Sequence, residues 1–158
     1  MVTWREFAGA RPDLAEAGRT LLYQYGVGLA FVATVRPDGG PRLHPVCPVL
    51  LAEEGLYALL VPSPKREDLR RDPRYAMHSF PCEQNEDAFY VVGTTRPSDD
   101  PSLRRMVGAQ FLTEREWDAP PPGFDQQELF EFDVERCLYT RTGGHGDSNP
   151  EHTIWHAP

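Results

Sequence analysis

Apolar and polar positions along the chain divide it into short elements. Leu14, Ala17, Gly18, Leu21, Leu22 and Tyr25 fall on one helical face. Pro12 suits a first turn and Gly26 a stop, so the pattern predicts a helix over 12–25. A β-rich run over 29–35 ends at Arg36-Pro37-Asp38-Gly39-Gly40, a hairpin signal. Over 42–51 the alternation is rough, and Pro45 and Pro48 restrict that segment to an edge or bulged strand. A tight turn over 52–55 leads into a third strand over 56–61, and 63–72 reads as a short charged helix stopped by Pro73. Two strands follow over 75–80 and 88–93, joined by a polar stretch over 81–87. Leu103, Met106, Val107 and Phe111 share one face of a helix predicted over 99–111, and 118–127, with three prolines and a glycine, is a loop. Phe130, Phe132 and Val134 alternate with Glu131, Asp133 and Glu135 as a half-buried strand. A last strand over 137–142 pairs with it across Glu135-Arg136, and 143–158 forms an irregular polar tail.

Six or seven short strands and about three helices, without regular βαβ alternation, argue against a parallel sheet. The fold class expected is mainly β (α+β), a small antiparallel barrel with peripheral helices. At 158 residues the chain is expected to be one domain over 1–158, large enough for a core without disulfides or metal. A formal net charge of −8 excludes a general nucleic-acid binder, which needs a basic footprint. An anionic ligand must then find a local basic pocket. Cys47, Cys82 and Cys137 are odd in number and lack CxxC spacing, so reduced thiols are expected. No run approaches the ~18–20 apolar residues of a membrane span, and the opening residues lack the apolar stretch of a signal peptide. A cytoplasmic location is expected.

Chemistry concentrates at Ser63-Pro64-Lys65-Arg66. Free N–H groups and the positive dipole end meet at a helix start, and a hydroxyl and an ammonium add donors suited to a phosphate. On the residues alone, a plain helix cap and a solvated basic face is the simpler reading.

The ordered set Ala33-Thr34, Asp38-Gly39, Pro41, Ser63, Lys65 and Asp72-Pro73-Arg74 resembles the pyridoxamine 5′-phosphate oxidase-like split β-barrel superfamily. The clear match covers about half the chain, and the order of elements most of it. That resemblance implies a homodimer with FMN bound where two barrels meet, and a small-molecule substrate. It implies that Arg42, Leu43, His44, Pro45 and Val46 run along the flavin ring, largely through backbone groups. Ser63 and Lys65 would hold the phosphate, with Arg66 adding charge. The chain departs from the family pattern at Leu60, Pro64 and Ala88, where polar or basic contacts are usual. FMN, a deazaflavin or an empty site therefore remain alternatives. No counterpart of the C-terminal Arg-x-His substrate motif is found, so true pyridoxamine 5′-phosphate oxidase activity is not expected.

His44-x-x-Cys47 and the His78/Cys82 pair invite a zinc reading, but strand alternation separates such neighbours by face and structural zinc takes four ligands. No metal site is expected. His145, His152 and His156 crowd the tail beside Trp155. Some split-barrel relatives bind haem through a C-terminal loop, which makes haem the less favoured cofactor. Docking of Ile154 and Trp155 on the barrel or the partner subunit is the simpler reading, and Trp155 could also cover the flavin ring from the second subunit. Paired carboxylates at Glu53-Glu54 and Asp99-Asp100 are expected to act in solubility and capping, and no residue need act as an acid or base.

Overall fold

In a computed structural model, residues 1–51 and 55–158 are described. The turn expected over 52–55, with Glu53-Glu54, lies outside the described residues up to Gly55. Two short helices, α1 (Trp4–Ala10) and α2 (Pro12–Leu22), precede the hairpin β1 (Ala30–Val35) and β2 (Pro41–Val46). Next come β3 (Pro48–Leu51), β4 (Gly55–Leu60), α3 (Pro64–Arg71), β5 (Arg74–Ser79) and β6 (Ala88–Ser98). The chain finishes with α4 (Pro101–Glu114), a 3-10 turn at Phe124–Gln126, β7 (Glu128–Arg141) and β8 (Glu151–His156).

All strand pairs are antiparallel, in the order β2-β1-β5-β6-β7-β4-β3, with β8 added on β7. The two ends of that order, β2 and β3, are consecutive in the chain and separated by Cys47 alone. The sheet must therefore curl until its edges approach, which gives the expected split barrel. Gly39, at φ 83°, supplies the left-handed residue of the β1–β2 hairpin. Gly93 sits at a bulge in β6, where a Cβ would lie 1.9 Å from the Asp133 carbonyl oxygen. No larger residue fits there without moving the β7 backbone.

Phe89, Val91, Met77, Phe130, Phe132 and Leu56 fill the barrel interior, capped by Phe7, Leu14 and Leu22 from α1 and α2. A second cluster joins Leu103, Val107 and Phe111 of α4 to Val49, Tyr57, Leu59 and Leu129. Strand β4 is thus buried on both faces, which accounts for its unbroken apolar run.

Four expectations are corrected. The two strands expected over 130–142 are one strand, 128–141, because β7 changes partner instead of turning: Tyr57–Leu60 pair with its first part and β8 with its last. The tail is not irregular throughout, since residues 151–156 form β8. Its polar sequence reflects an exposed edge. The expected strand over 42–51 breaks at Cys47 into β2 and β3. The expected 12–25 helix ends at Leu22, and the short α1 precedes it. Thr3 and Glu6 form a capping box that starts α1.

Candidate functional site

Helix α3 lies against β1 and β2, and its last turns are bound to them by charge. The Asp68 carboxylate, 2 % exposed, accepts hydrogen bonds from Arg42 Nε at 2.6 Å, Thr34 Oγ1 at 2.9 Å and Arg71 Nη2 at 3.2 Å. Burial pushes its pKa up, but these three donors outweigh burial and hold it below the ordinary carboxylate value. Arg71 also donates to the Val35 carbonyl. Arg66, in the first turn of the helix, donates to the Gln126 carbonyl at 3.2 Å and meets Glu67 at 3.3 Å and Glu128 at 3.7 Å. Arg70 completes this group with Glu128 at 2.7 Å.

The start of α3 is wired differently. Ser63 is its N-cap, yet the Ser63 hydroxyl donates to the Val61 carbonyl at 2.9 Å and accepts no helix N–H. Lys65 Nζ donates to the Pro45 carbonyl at 2.8 Å and meets no carboxylate among the described residues. The side chain is half-buried, and burial lowers its pKa. Two ammonium donors therefore remain for a ligand.

The Pro45 contact also fixes which side of β2 is open. Strand β2 pairs with β1 along its whole length. Alternation then places the N–H and C=O of Leu43 on the same unpaired side as the Pro45 carbonyl. Backbone groups of an edge strand thus run beside Lys65. A cavity of about 270 Å³ continues from this edge, lined by Pro45, Val46, Cys47, Leu60, Phe111 and Gln127, with Lys65 at its rim. Gln127 lines the cavity, and its Oε1 is buried and accepts no hydrogen bond among the described residues.

Of the residues expected from sequence, Lys65, Pro45 and Val46 come together here, and Ser63 adjoins them through its bond to Val61, which also lines the cavity. His44 sits opposite Val32 on the α3 side of β2, as Arg42 sits opposite Thr34. The Leu43 side chain points the other way and is 65 % exposed. Arg42 and Arg66 are engaged by Asp68 and by Glu67 and Glu128. Trp155 stands apart: it pairs with Cys137 and packs its ring on Phe7 at 4.9 Å. That is the docking arrangement. Gln127 and Phe111 are site residues that the sequence did not announce, because they arrive from distant segments without a motif. Among the described residues no cluster of His, Cys, Asp and Glu is arranged to hold a metal. His152 instead bonds Thr140 at 2.9 Å, and His145 bonds the Glu83 carbonyl at 3.0 Å.

No family model and no curated protein matches the sequence. Solved structures do match in fold. A heme binding protein from Mycobacterium smegmatis superposes with a TM-score of 0.63 at 19% identity, over 90% of this chain and 58% of that one. The chain thus spans a little over half of that protein's length. A pyridoxamine 5′-phosphate oxidase-like protein from Listeria innocua gives 0.61 at 15% identity, over 78% of this chain and 95% of that one. An F420 reductase gives 0.57 at 18% identity, over 69% and 87%. The fold is therefore that of the pyridoxamine 5′-phosphate oxidase-like split barrels. No helix among the described residues is long and apolar enough to cross a membrane.

Proposed function

We propose that this protein is a flavin-dependent oxidoreductase acting on a small molecule, with FMN or a deazaflavin held along β2 and the start of α3. The observation that carries this reading is Lys65, a half-buried ammonium without a carboxylate partner among the described residues, beside the open edge of β2. The residues fit such a group in charge. Lys65 and Ser63 would hold the phosphate, the β2 edge would offer backbone donors and acceptors to a ring, and Gln127 Oε1 awaits a donor. Two arginines, Arg42 and Arg66, position α3 rather than face the ligand. A bound flavin supplies the hydride chemistry, and the chain holds, orients and screens it.

A volume of about 270 Å³ falls below the ~300–1,000 Å³ usual for drug-sized ligands. The cofactor would extend beyond one protomer, and the sheet offers a surface for a second. Strand register places Leu43, Ala33, Ala76 and Val92 in one outward row, and Pro45, Phe31, His78, Tyr90, Leu138 and Ile154 in the next. Leu43 and Ile154 are 65 % and 50 % exposed. The second row crosses six strands and is apolar apart from His78, while the first runs on into Arg136 and His156. Such a belt marks an interaction surface, and it adjoins the free edge of β2. The reading is a homodimer joined on this belt with the cofactor at its margin. Leu43→Asp is expected to turn a dimer into a monomer in sedimentation velocity and to weaken FMN binding. A wild-type monomer that binds FMN tightly would contradict that assembly.

Fluorescence titration with FMN and with a deazaflavin tests the cofactor itself. Saturable uptake of one of them is expected. If neither binds and added haem instead gives a Soret band, the protein belongs with haem binders like the mycobacterial one.

A further inference from the structure

A larger cavity lies elsewhere and shares no lining residue with the Lys65 site. It measures about 730 Å³ and lies between the outer face of α4 and residues 120–125. Gly108, Ala109 and Leu112 form one wall and Pro120, Pro121 and Pro122 the other. Gly108 and Ala109 carry almost no side chain, which leaves a trough in the helix surface, and three successive prolines keep the opposing wall stiff.

The charge at one end is net positive in an acidic chain: two arginines line it against one carboxylate, Asp125. Arg104 and Arg105 both line the cavity, and neither meets a carboxylate among the described residues, whereas most other arginines of the chain do. Arg104 Nη2 donates to the Phe124 carbonyl at 3.0 Å and the Asp125 carbonyl at 3.4 Å, which holds the loop in place. Arg105 makes one neutral contact, to Ser102 Oγ at 3.0 Å, and is otherwise exposed. Its guanidinium can leave that hydroxyl for an anion, because a charge-assisted bond is roughly twice as strong as a neutral one.

From the apolar trough and the unpaired cations at its end, we infer a binding site for an apolar organic acid. The carboxylate sits at Arg105, and the hydrocarbon lies over Gly108 and Ala109 against the prolines. The volume lies within the range of small-molecule sites, and the concave, stiff walls suit a small ligand better than a protein surface.

Decanoate and decan-1-ol, titrated separately into the full chain and followed by backbone-amide NMR, test this. Decanoate is expected to shift amides over 104–112 and 123–125, and decan-1-ol to bind the same place more weakly. Arg105→Ala should weaken decanoate roughly tenfold and leave decan-1-ol unchanged. Ala109→Trp, which fills the trough from an exposed helix position, should abolish both. Equal affinity for acid and alcohol, no effect of Arg105→Ala, or shifts confined to other residues overturns the inference. So does movement of these amides on simple dilution without ligand, which would mark the groove as a contact between copies of the chain.

Discussion

The two ends of α3 carry similar basic residues and do opposite things. At its C-terminal end Arg42 and Arg71 converge on one buried carboxylate, Asp68, and Arg70 reaches Glu128. At its start Arg66 is likewise engaged by Glu67 and Glu128, but Lys65 holds only a carbonyl and keeps two donors free. The lesson is that basic residues in sequence do not by themselves mark an anion site. What matters is whether the fold has already supplied each one with an anion. Here the last turns fasten the helix to β1 and β2, and that anchoring sets Lys65 and Ser63 beside the edge of β2.

The sharpest way to break this division is at Asp68. Asp68→Ala leaves Arg42 and Arg71 without their carboxylate. Loss of one partner of a buried pair costs ~3–5 kcal/mol, and the 27% exposure of the Arg42 side chain places this case near the lower bound. Urea unfolding should therefore show a loss of about 3 kcal/mol. Lys65→Ala is expected to do the reverse, with stability nearly unchanged and FMN affinity falling ~10- to 150-fold, the value of a charge-assisted hydrogen bond of ~1.5–3 kcal/mol. Ser63→Ala removes a neutral hydroxyl and should weaken FMN by only ~2- to 10-fold.

Two pH dependences separate the ends further. The folded-state pKa of Asp68 is depressed, so its contribution to stability is fully present above the ordinary carboxylate pKa of ~3.9 and is lost as pH falls through the lower folded value. Asp68→Asn should flatten that acid limb of the stability curve. Burial lowers the Lys65 pKa below its ordinary 10.5. Phosphate binding needs the protonated form, so FMN affinity should decline at a milder alkaline pH than an exposed lysine would give. The decline should be absent in Lys65→Ala.

Much of the scaffold was legible in the sequence because local signals agreed with the final partners. The hairpin glycines, the apolar run of β4 and the Ser-Pro start of α3 each act over a few residues. Legibility failed where partners were distant. Glu135-Arg136 resembles a turn in sequence, yet it lies where β7 exchanges β4 for β8 as neighbour. Strand β8 reads as a polar tail because only one of its sides is paired. Helix α1 did carry a signal, the Thr3-x-x-Glu6 capping box, but it presents only Trp4 and Phe7 to the core. At the site, Ser63 and Lys65 were visible as a motif. The commitment of Arg42 to a residue 26 positions away, and of Arg66 to the Gln126 carbonyl 60 positions away, is a property of the folded chain alone.

Parallel titrations with FMN and riboflavin, which differ by the phosphate, test the central claim most directly. Wild-type protein is predicted to prefer FMN by at least ~10-fold, and Lys65→Ala to bind the two alike while keeping its riboflavin affinity. A Lys65→Ala protein that still prefers FMN as strongly as wild type would place the phosphate elsewhere and contradict the assignment of the α3 start.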